Sequence, residues 1–451
     1  MWPGNAAMPM AFFRSKWYIF MMPYQYLSSL SPMGIRLGLD RVQRLLKRLG
    51  SPQEGYRTIL IGGTNGKGSV AAMTAAILKS AGYFTGLYTS PHLVHVQERI
   101  RIDGECISRN EMASFIERVR KEVTEDITYF EFLTAVAFLY FSAKKVDVAV
   151  LEVGMGGRLD ATNIVYPCVS AVTNISLEHQ SYLGRTLEAI AEEKGAIISR
   201  GGTCITAARQ RKVIDVLERI CRQKRAALHR LGRDIHIRNH DGSSFSWYGP
   251  EEHVIGKIAC ALIGRHQQEN AAVAIGLISA MRSNGINADE TAIRSGLSHV
   301  RWEGRLEVVR ECPEVLMDGA HNPAAVAALC RSLQSSFRYR RLIIIFGVLN
   351  DKNVHRMMDQ LSPMADILIL TDPSTDRARP ADDYVNAVTD CRHVEICHHP
   401  RDALRRAYQM ASAGDLICIT GSLYLVGEMK KIIPLPPYCD NRSSKRQTAA
   451  E

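Results

Sequence analysis

Short apolar runs recur along the chain, separated by stretches in which apolar residues return every third or fourth position. Ile59 to Ile61, Phe84 to Thr89, Val146 to Val153, Val169 to Ile175 and residues 203–207 are too short for helices and predict buried strands. Residues 33–50 end in an amphipathic helix closed by Gly50, and helices are predicted from Ser69 to about Ser80 and over 111–123, 131–144, 186–198 and 209–226. Strand and helix in alternation predict an α/β unit with a mainly parallel sheet. Residues 235–263 read as hairpin-like segments, and Gly264 opens a further helix. Around Arg301-Trp-Glu-Gly-Arg305 the alternation restarts: strands Val315 to Met317, Leu342 to Val348, Ile367 to Leu370 and Leu416 to Thr420, with helices 323–335, 353–361, 381–389 and 400–412. This predicts a second, smaller doubly wound unit. The expected division is 23–302 and 303–435, with 436–451 as a polar, disordered tail and 1–22 set apart.

Chemistry collects at the strand ends. Thr58-Ile-Leu-Ile-Gly-Gly-Thr-Asn-Gly-Lys-Gly-Ser69 is strand, glycine turn and helix start, the context of a phosphate-binding P-loop. Lys67 would reach the β- and γ-phosphates, but Gly68 stands where G-x-x-x-x-G-K-[ST] has its hydroxyl, and Ser69 follows one position late. Ser90 and His179 each follow a strand, and Glu152 nearly ends one; a carboxylate there needs a partner or a metal. Helical spacing puts Lys194 on one stripe with Leu187, Ile190 and Ala191. It would either snorkel outward or, desolvated, become a neutral amine able to take up CO₂ as a carbamate. In Asp318-Gly-Ala-His-Asn-Pro323, Asn322 and Pro323 suit a helix start, which leaves Asp318 and His321 for a ligand.

Composition narrows the classes. Eleven cysteines without a C-x-x-C pair argue for a reducing compartment, expected to be the cytoplasm, and against a thiolate zinc site. The net charge is +10, and residues 200–240 hold eleven Lys/Arg against Asp215, Glu218 and Asp234. Aromatic stacking residues are missing there, so a solvated helix face is expected rather than a nucleic-acid partner, with a mild pull on polyanionic substrates as the alternative. Residues 10–22 are apolar but broken by Arg14 and Lys16, too short for a membrane span and without a signal-cleavage pattern. An organellar presequence and a start at Met21 or Met22 both remain open.

Gly-Thr-Asn-Gly-Lys-Gly-Ser, Thr-Ser-Pro-His-Leu, Leu-Glu-Val-Gly-Met-Gly-Gly-Arg-Leu-Asp-Ala-Thr-Asn, Glu-His-Gln-x-x-Leu-Gly, Arg-Trp-Glu-Gly-Arg and Asp-Gly-Ala-His-Asn-Pro, in this order, resemble the folylpolyglutamate synthase/dihydrofolate synthase family of Mur-like ligases. The resemblance spans about residues 22–435. It implies an α/β fold with a P-loop N-terminal ATPase domain and a smaller Rossmann-like C-terminal domain. It implies a nucleotide site at Thr64, Asn65, Gly66, Lys67, Gly68 and Ser69, with Asn270, Arg305 and Asp318 on base and ribose and His321 close by. It implies Mg²⁺, two ions, on Ser90, Glu152 and His179; a carbamylated Lys194; and catalytic parts for Lys67, Lys194 and His179. The pterin-side substrate would lie against Gly34, Ile35, Arg36 and Leu37, Thr128, Tyr129, Phe130 and Glu131, and Leu159, Asp160 and Ala161. Arg36 stands where some bifunctional members have an acid, and Glu178 where the family often has Asp.

The implied reaction joins L-glutamate to dihydropteroate and to tetrahydrofolate polyglutamates, with ATP forming an acyl phosphate. A monomer that binds small molecules, and neither nucleic acid nor membrane, is expected. Alternatives are a tetrahydrofolate polyglutamylase alone, a non-catalytic ATP-binding regulatory homologue and a muramyl ligase, the last opposed by the Thr-Ser-Pro-His-Leu and Asp-Gly-Ala-His-Asn-Pro wording.

Overall fold

Ile59 and Ile61 point to one side of a central strand and Leu60 to the other, and both faces of that strand are fully buried. A strand covered twice belongs inside a parallel sheet with helices on both faces. The computed structural model describes residues 22–31, 34, 36–240, 244–250 and 253–433. The expectations for residues 1–21, Ile35 and the tail lie outside them.

The first sheet contains β1 (Arg57–Gly62), β2 (Thr85–Tyr88), β3 (Ile100–Ile102), β4 (Glu105–Cys106), β5 (Val148–Glu152), β6 (Val169–Val172), β7 (Thr203–Thr206) and β8 (Ala227–Arg230), in the order β4-β3-β2-β5-β1-β6-β7-β8. All neighbours from β2 to β8 run parallel, and β3 and β4 add an antiparallel edge. A helix over residues 22–29 (α1), not expected from periodicity, precedes α2 (Asp40–Arg48), α3 (Lys67–Ser80), α4 (Arg109–Lys121), α5 (Tyr129–Lys144), α6 (Gln180–Leu183), α7 (Leu187–Gly195) and α8 (Arg211–Lys224). The hairpin-like region is a three-stranded antiparallel sheet of β9 (His236–Asn239), β10 (Ser244–Tyr248) and β11 (Val254–Ala259), followed by α9 (Arg265–Met281) and α10 (Glu290–His299).

The second sheet comprises β12 (Glu307–Glu311), β13 (Glu314–Met317), β14 (Leu342–Phe346), β15 (Ile367–Leu370), β16 (Val394–Ile396) and β17 (Leu416–Thr420), ordered β12-β13-β17-β14-β15-β16. Only β12 is antiparallel to its neighbour. Helices α11 (Pro323–Ser336), α12 (Val354–Leu361), α13 (Pro400–Met410) and α14 (Leu423–Ile432) cover its two faces. The α/β expectation holds for both sheets. The helix expected over 381–389 is instead two short 3₁₀ turns, Ala381–Asp383 and Val385–Ala387. Tyr384 between them is fully buried, and its hydroxyl donates to the Thr371 carbonyl, so the chain dips into the core where a helix would continue.

Much of the basic stretch is paired. Arg219 meets Glu192, Lys212 meets Glu188 at 3.0 Å, and Arg230 and Arg233 share Glu218, so much of α8 is zipped to the acidic side of α7 and to its own carboxylates. Among the described residues no helix is long and apolar enough to cross a membrane.

Candidate active site

The carboxyl ends of β1, β5, β2 and β6 converge where the sheet order reverses, the usual place for a ligand crevice in such sheets. The P-loop links β1 to α3. Gly66 takes a left-handed φ of +86°, and a Cβ there would come within 2.5 Å of Asn270 Oδ1, so the loop is pressed against α9. The loop's first amides do not face outward as expected. The Thr64 N–H donates to the Asn174 carbonyl (2.8 Å) and the Asn65 N–H to Asn174 Oδ1 (3.0 Å). Anion-seeking donors remain at the first turn of α3, Lys67 to Ser69, whose N–H groups have no intrahelical acceptor. Lys67 Nζ rests on the Thr64 carbonyl at 3.0 Å. Gly68 is explained by Trp302: a Cβ at 68 would lie 3.0 Å from the indole Nε1. The indole stands where a Walker hydroxyl would project.

Glu152 is 5% exposed, and Oε2 accepts the Ser90 N–H at 3.0 Å. Burial pushes its pKa up, opposed by Lys67, Arg305 and Arg99. A cleft between the two sheets is lined by Gly68, Ser90, Glu152, Trp302, Arg305 and Leu423 among others. Lys194 does not snorkel. It is 3% exposed, and Nζ donates to the Gly63 carbonyl at 2.8 Å. Burial, aided by Lys67, lowers its pKa to about 7. Gly157 has no room for a Cβ, which would sit 3.0 Å from Lys194 Cα, so the glycine loop packs directly on this helix.

The second sheet contributes from the other side. Asp318 is not free as expected: its oxygens accept the N–H groups of Leu306 (3.0 Å) and Ala320 (2.9 Å), binding the linker to β13. His321 turns Nδ1 to the Gly319 carbonyl at 2.8 Å and Nε2 to Glu178 at 3.4 Å. Asn322 does more than cap α11. Its Oδ1 accepts the Ala325 N–H, and its amide pairs reciprocally with that of Asn65 at 2.8 and 3.3 Å. Glu178 gathers His321, Asn322 and Lys352. Burial works to raise its pKa, yet His321 and Lys67 hold it well below the usual carboxylate range. His179 sits before α6 at φ +50°, 4.0 Å from Glu178, and burial lowers its pKa to about 4, leaving a neutral imidazole. Asn174, Trp302, Glu178 and the Asn65–Asn322 pair escaped sequence reading because each acts across the fold.

Several of the expected substrate contacts also carry hydrogen bonds within the fold. Thr128 and Glu131 form the capping box of α5: Glu131 Oε2 accepts the Thr128 N–H and hydroxyl at 2.9 and 2.7 Å. Asp160 spends its carboxylate on the Met155 and Thr162 N–H groups and the Thr162 hydroxyl. Ala161 is buried. Of the expected set, Gly34, Arg36, Leu37 and Leu159 are exposed, and Tyr129 and Phe130 are half-buried. Leu37 is 44% exposed and Leu159 38%, large apolar surfaces without cover. Arg36 pairs with Asp126 at 3.5 Å.

The donor set suits a magnesium ion shared with phosphates. Among the described residues no three of His, Cys, Asp and Glu cluster to form a protein cage. One buried carboxylate with unused lone pairs beside a hydroxyl and a phosphate loop is the arrangement that ion takes.

Profiles of known families fit both halves of the chain. "Mur ligase middle domain" matches residues 61–278 and "Mur ligase, glutamate ligase domain" residues 304–423. A probable bifunctional folylpolyglutamate synthase/dihydropteroate synthase of Halobacterium salinarum is 38% identical over 419 residues, 90% of this chain; the chain spans only 50% of that protein. The dihydrofolate synthase/folylpolyglutamate synthase of Bacillus subtilis is 34% identical over 88% of this chain and 95% of its own length. Among solved structures, Escherichia coli FolC in complex with DHPP and ADP superposes with a TM-score of 0.83 at 29% identity, covering 95% of this chain and 99% of that one. The bifunctional enzyme of Yersinia pestis with AMPPNP and a Mn ion gives 0.82 at 29%, covering 92% and 97%. The likeness runs along nearly the whole chain, which belongs to the folylpolyglutamate synthase/dihydrofolate synthase family of Mur ligases.

Proposed function

We propose that this chain is an ATP-dependent ligase that adds L-glutamate to dihydropteroate and extends the γ-glutamyl tail of tetrahydrofolate. The observation that carries the reading is the convergence of Lys67, Glu152 and a lysine of pKa about 7 at one set of strand ends, in a chain whose relatives bear these activities in their names.

In this reading a carboxylate oxygen of the pteridine substrate attacks the γ-phosphorus of ATP. The bond to the β-phosphate oxygen breaks, and ADP and an acyl phosphate result. The amine of glutamate then attacks the acyl carbon, loses a proton, and expels phosphate. Lys67 and the first turn of α3 meet the charge on the phosphates. Ser90 and Glu152, with His179, would hold Mg²⁺, which supplies Lewis-acid neutralisation of the transferring phosphoryl oxygens. Lys194, neutral in part at pH 7, is chemically competent to add CO₂; the carbamate keeps one N–H for Gly63 and turns a cation into an anion. The second α/β unit, tied to the P-loop through Asn65 and Asn322, shields the acyl phosphate from water. The exposed Leu37 and Leu159 and the half-buried rings of Tyr129 and Phe130 suit a flat aromatic substrate. The reading makes the protein a cytoplasmic monomer.

The test is phosphate release from ATP with L-glutamate, offering dihydropteroate and tetrahydrofolate separately. Turnover with both is expected. Turnover with tetrahydrofolate alone would leave a dedicated polyglutamylase, and turnover with neither would overturn the reading.

A further inference from the structure

Arg99 is 9% exposed, ends a 3₁₀ turn (Val96–Arg99), and is held there by its carbonyl, which accepts the Thr89 N–H at 3.0 Å. The loop in front of it is knitted by one carboxylate: Glu98 accepts the N–H groups of Leu93, Val94 and His95 at 2.7, 2.9 and 2.6 Å. The arginine is therefore pre-placed. Its Nε donates to His92 Nδ1 at 2.9 Å, which puts the His92 proton on Nε2, and its guanidinium lies 5.5 Å from the centre of the Tyr129 ring. Among the described residues no carboxylate pairs with Arg99, and its two terminal nitrogens donate no hydrogen bond.

A buried guanidinium without an anion is costly, and arginines so buried are nearly always paired. His92 cannot supply the charge, because an imidazole is neutral or cationic and here only accepts the Arg99 Nε–H. Glu152 is close by, since its Oε2 holds the Ser90 N–H one residue beyond Thr89, and the Tyr129 ring lies against the guanidinium; these two neighbours say where the missing anion comes from. One neighbour belongs to the phosphoryl-transfer side of the cleft and the other to the pteridine side. The group that must bridge the two sides is the substrate carboxylate awaiting phosphorylation. Planar, forked and always charged, a guanidinium can take such a carboxylate through two parallel bonds.

We propose that Arg99 is the residue that receives this carboxylate and aims it at the γ-phosphate. The assignment rests on the ligase reading above. A nucleotide phosphate is the competing anion, and the experiment separates the two. Binding of dihydropteroate, of the same pteridine lacking its benzoate carboxyl group, and of ADP is measured on the whole protein and on Arg99→Ala and Arg99→Lys, with melting curves to verify folding. In the wild type, loss of the carboxyl group is expected to weaken binding roughly 10- to 150-fold. In Arg99→Ala the two pteridines are expected to bind alike, ADP affinity is expected to be unchanged, and added guanidinium ion is expected to restore part of the preference. Arg99→Lys keeps the charge without the fork and is expected to fall between them. An undiminished preference for the carboxylate in a folded Arg99→Ala would overturn the assignment, as would a loss confined to ADP. A wild-type protein that binds neither pteridine would overturn the ligase reading and the assignment with it. Should neither alanine nor lysine fold at this position, Arg99→Gln serves instead: loss of the carboxylate preference is expected, and an undiminished preference would overturn the assignment.

Discussion

Gly68→Ser restores the textual P-loop consensus and should damage the protein. The Cβ would lie 3.0 Å from Trp302 Nε1, 3.3 Å from Cζ2 and 3.4 Å from Cε2, all tighter than ordinary carbon contacts of roughly 3.5–4.0 Å. The indole must retreat by about half an ångström. Its retreat is limited, because Arg101 lies 5.4 Å from its ring centre on one side and the linker to β12 holds its backbone. Overpacking of this kind costs about 1–3 kcal/mol. Because the strained turn is the first of α3, part of that cost should fall on nucleotide binding. Urea unfolding and ADP titration of Gly68→Ser, Trp302→Ala and the double variant would measure it. The serine is expected to cost about 1–3 kcal/mol alone and much less in the double variant, where the indole is gone, giving a coupling of similar size. A serine variant as stable and as tight for ADP as the wild type would refute the reasoning, and so would a cost that persists unchanged without the indole.

Three further outcomes follow from the same geometry. Lys194 titrates near 7 when folded and at 10.5 when unfolded, so between those values the unfolded chain holds more protons and stability must rise with pH. Lys194→Met should abolish that slope and, after the loss of the Gly63 bond at about 1–3 kcal/mol, still gain on the order of 2 kcal/mol at pH 6; an unaltered slope in urea unfolding between pH 6 and 10 would contradict it. The same variant should lose ligation, and wild-type enzyme stripped of CO₂ should regain activity on adding bicarbonate; activity indifferent to bicarbonate argues against a carbamate. Asn322→Ala should lose about 1 kcal/mol with the α11 cap, whereas Asn322→Ser keeps the cap but releases Asn65, so a serine variant with wild-type turnover and wild-type ATP KM would show the amide pair to be idle.

Alternation of apolar runs with helical periodicity foretold both sheets, since buried parallel strands must read that way, and the stripe on α7 put Lys194 among apolar residues while leaving open whether it snorkels or stays buried. Thr128 and Glu131 were legible too, though as a different signal: Thr-x-x-Glu before an apolar run is a capping box, and their place in α5 follows from it. What could not be read comes from chain crossings. Nothing near Gly68 announces Trp302, nothing near Asn65 announces Asn322, and Arg99 looks like any surface arginine until Thr89 pins its backbone. At 381–389 the local helical pattern lost to the burial of Tyr384.

The Lys194 helix is held from outside. Lys224, at the end of α8, donates to the carbonyls of Ala196 at 2.9 Å and Ile198, just past the end of α7, while Arg158 grips Glu193 at 3.1 Å. A helix with no residue lining the cleft thus sets where Lys194 sits. In a random-mutagenesis screen scored on growth, changes at Lys224 should therefore read as lost catalysis in protein of near-normal abundance, without altering any residue that meets a substrate.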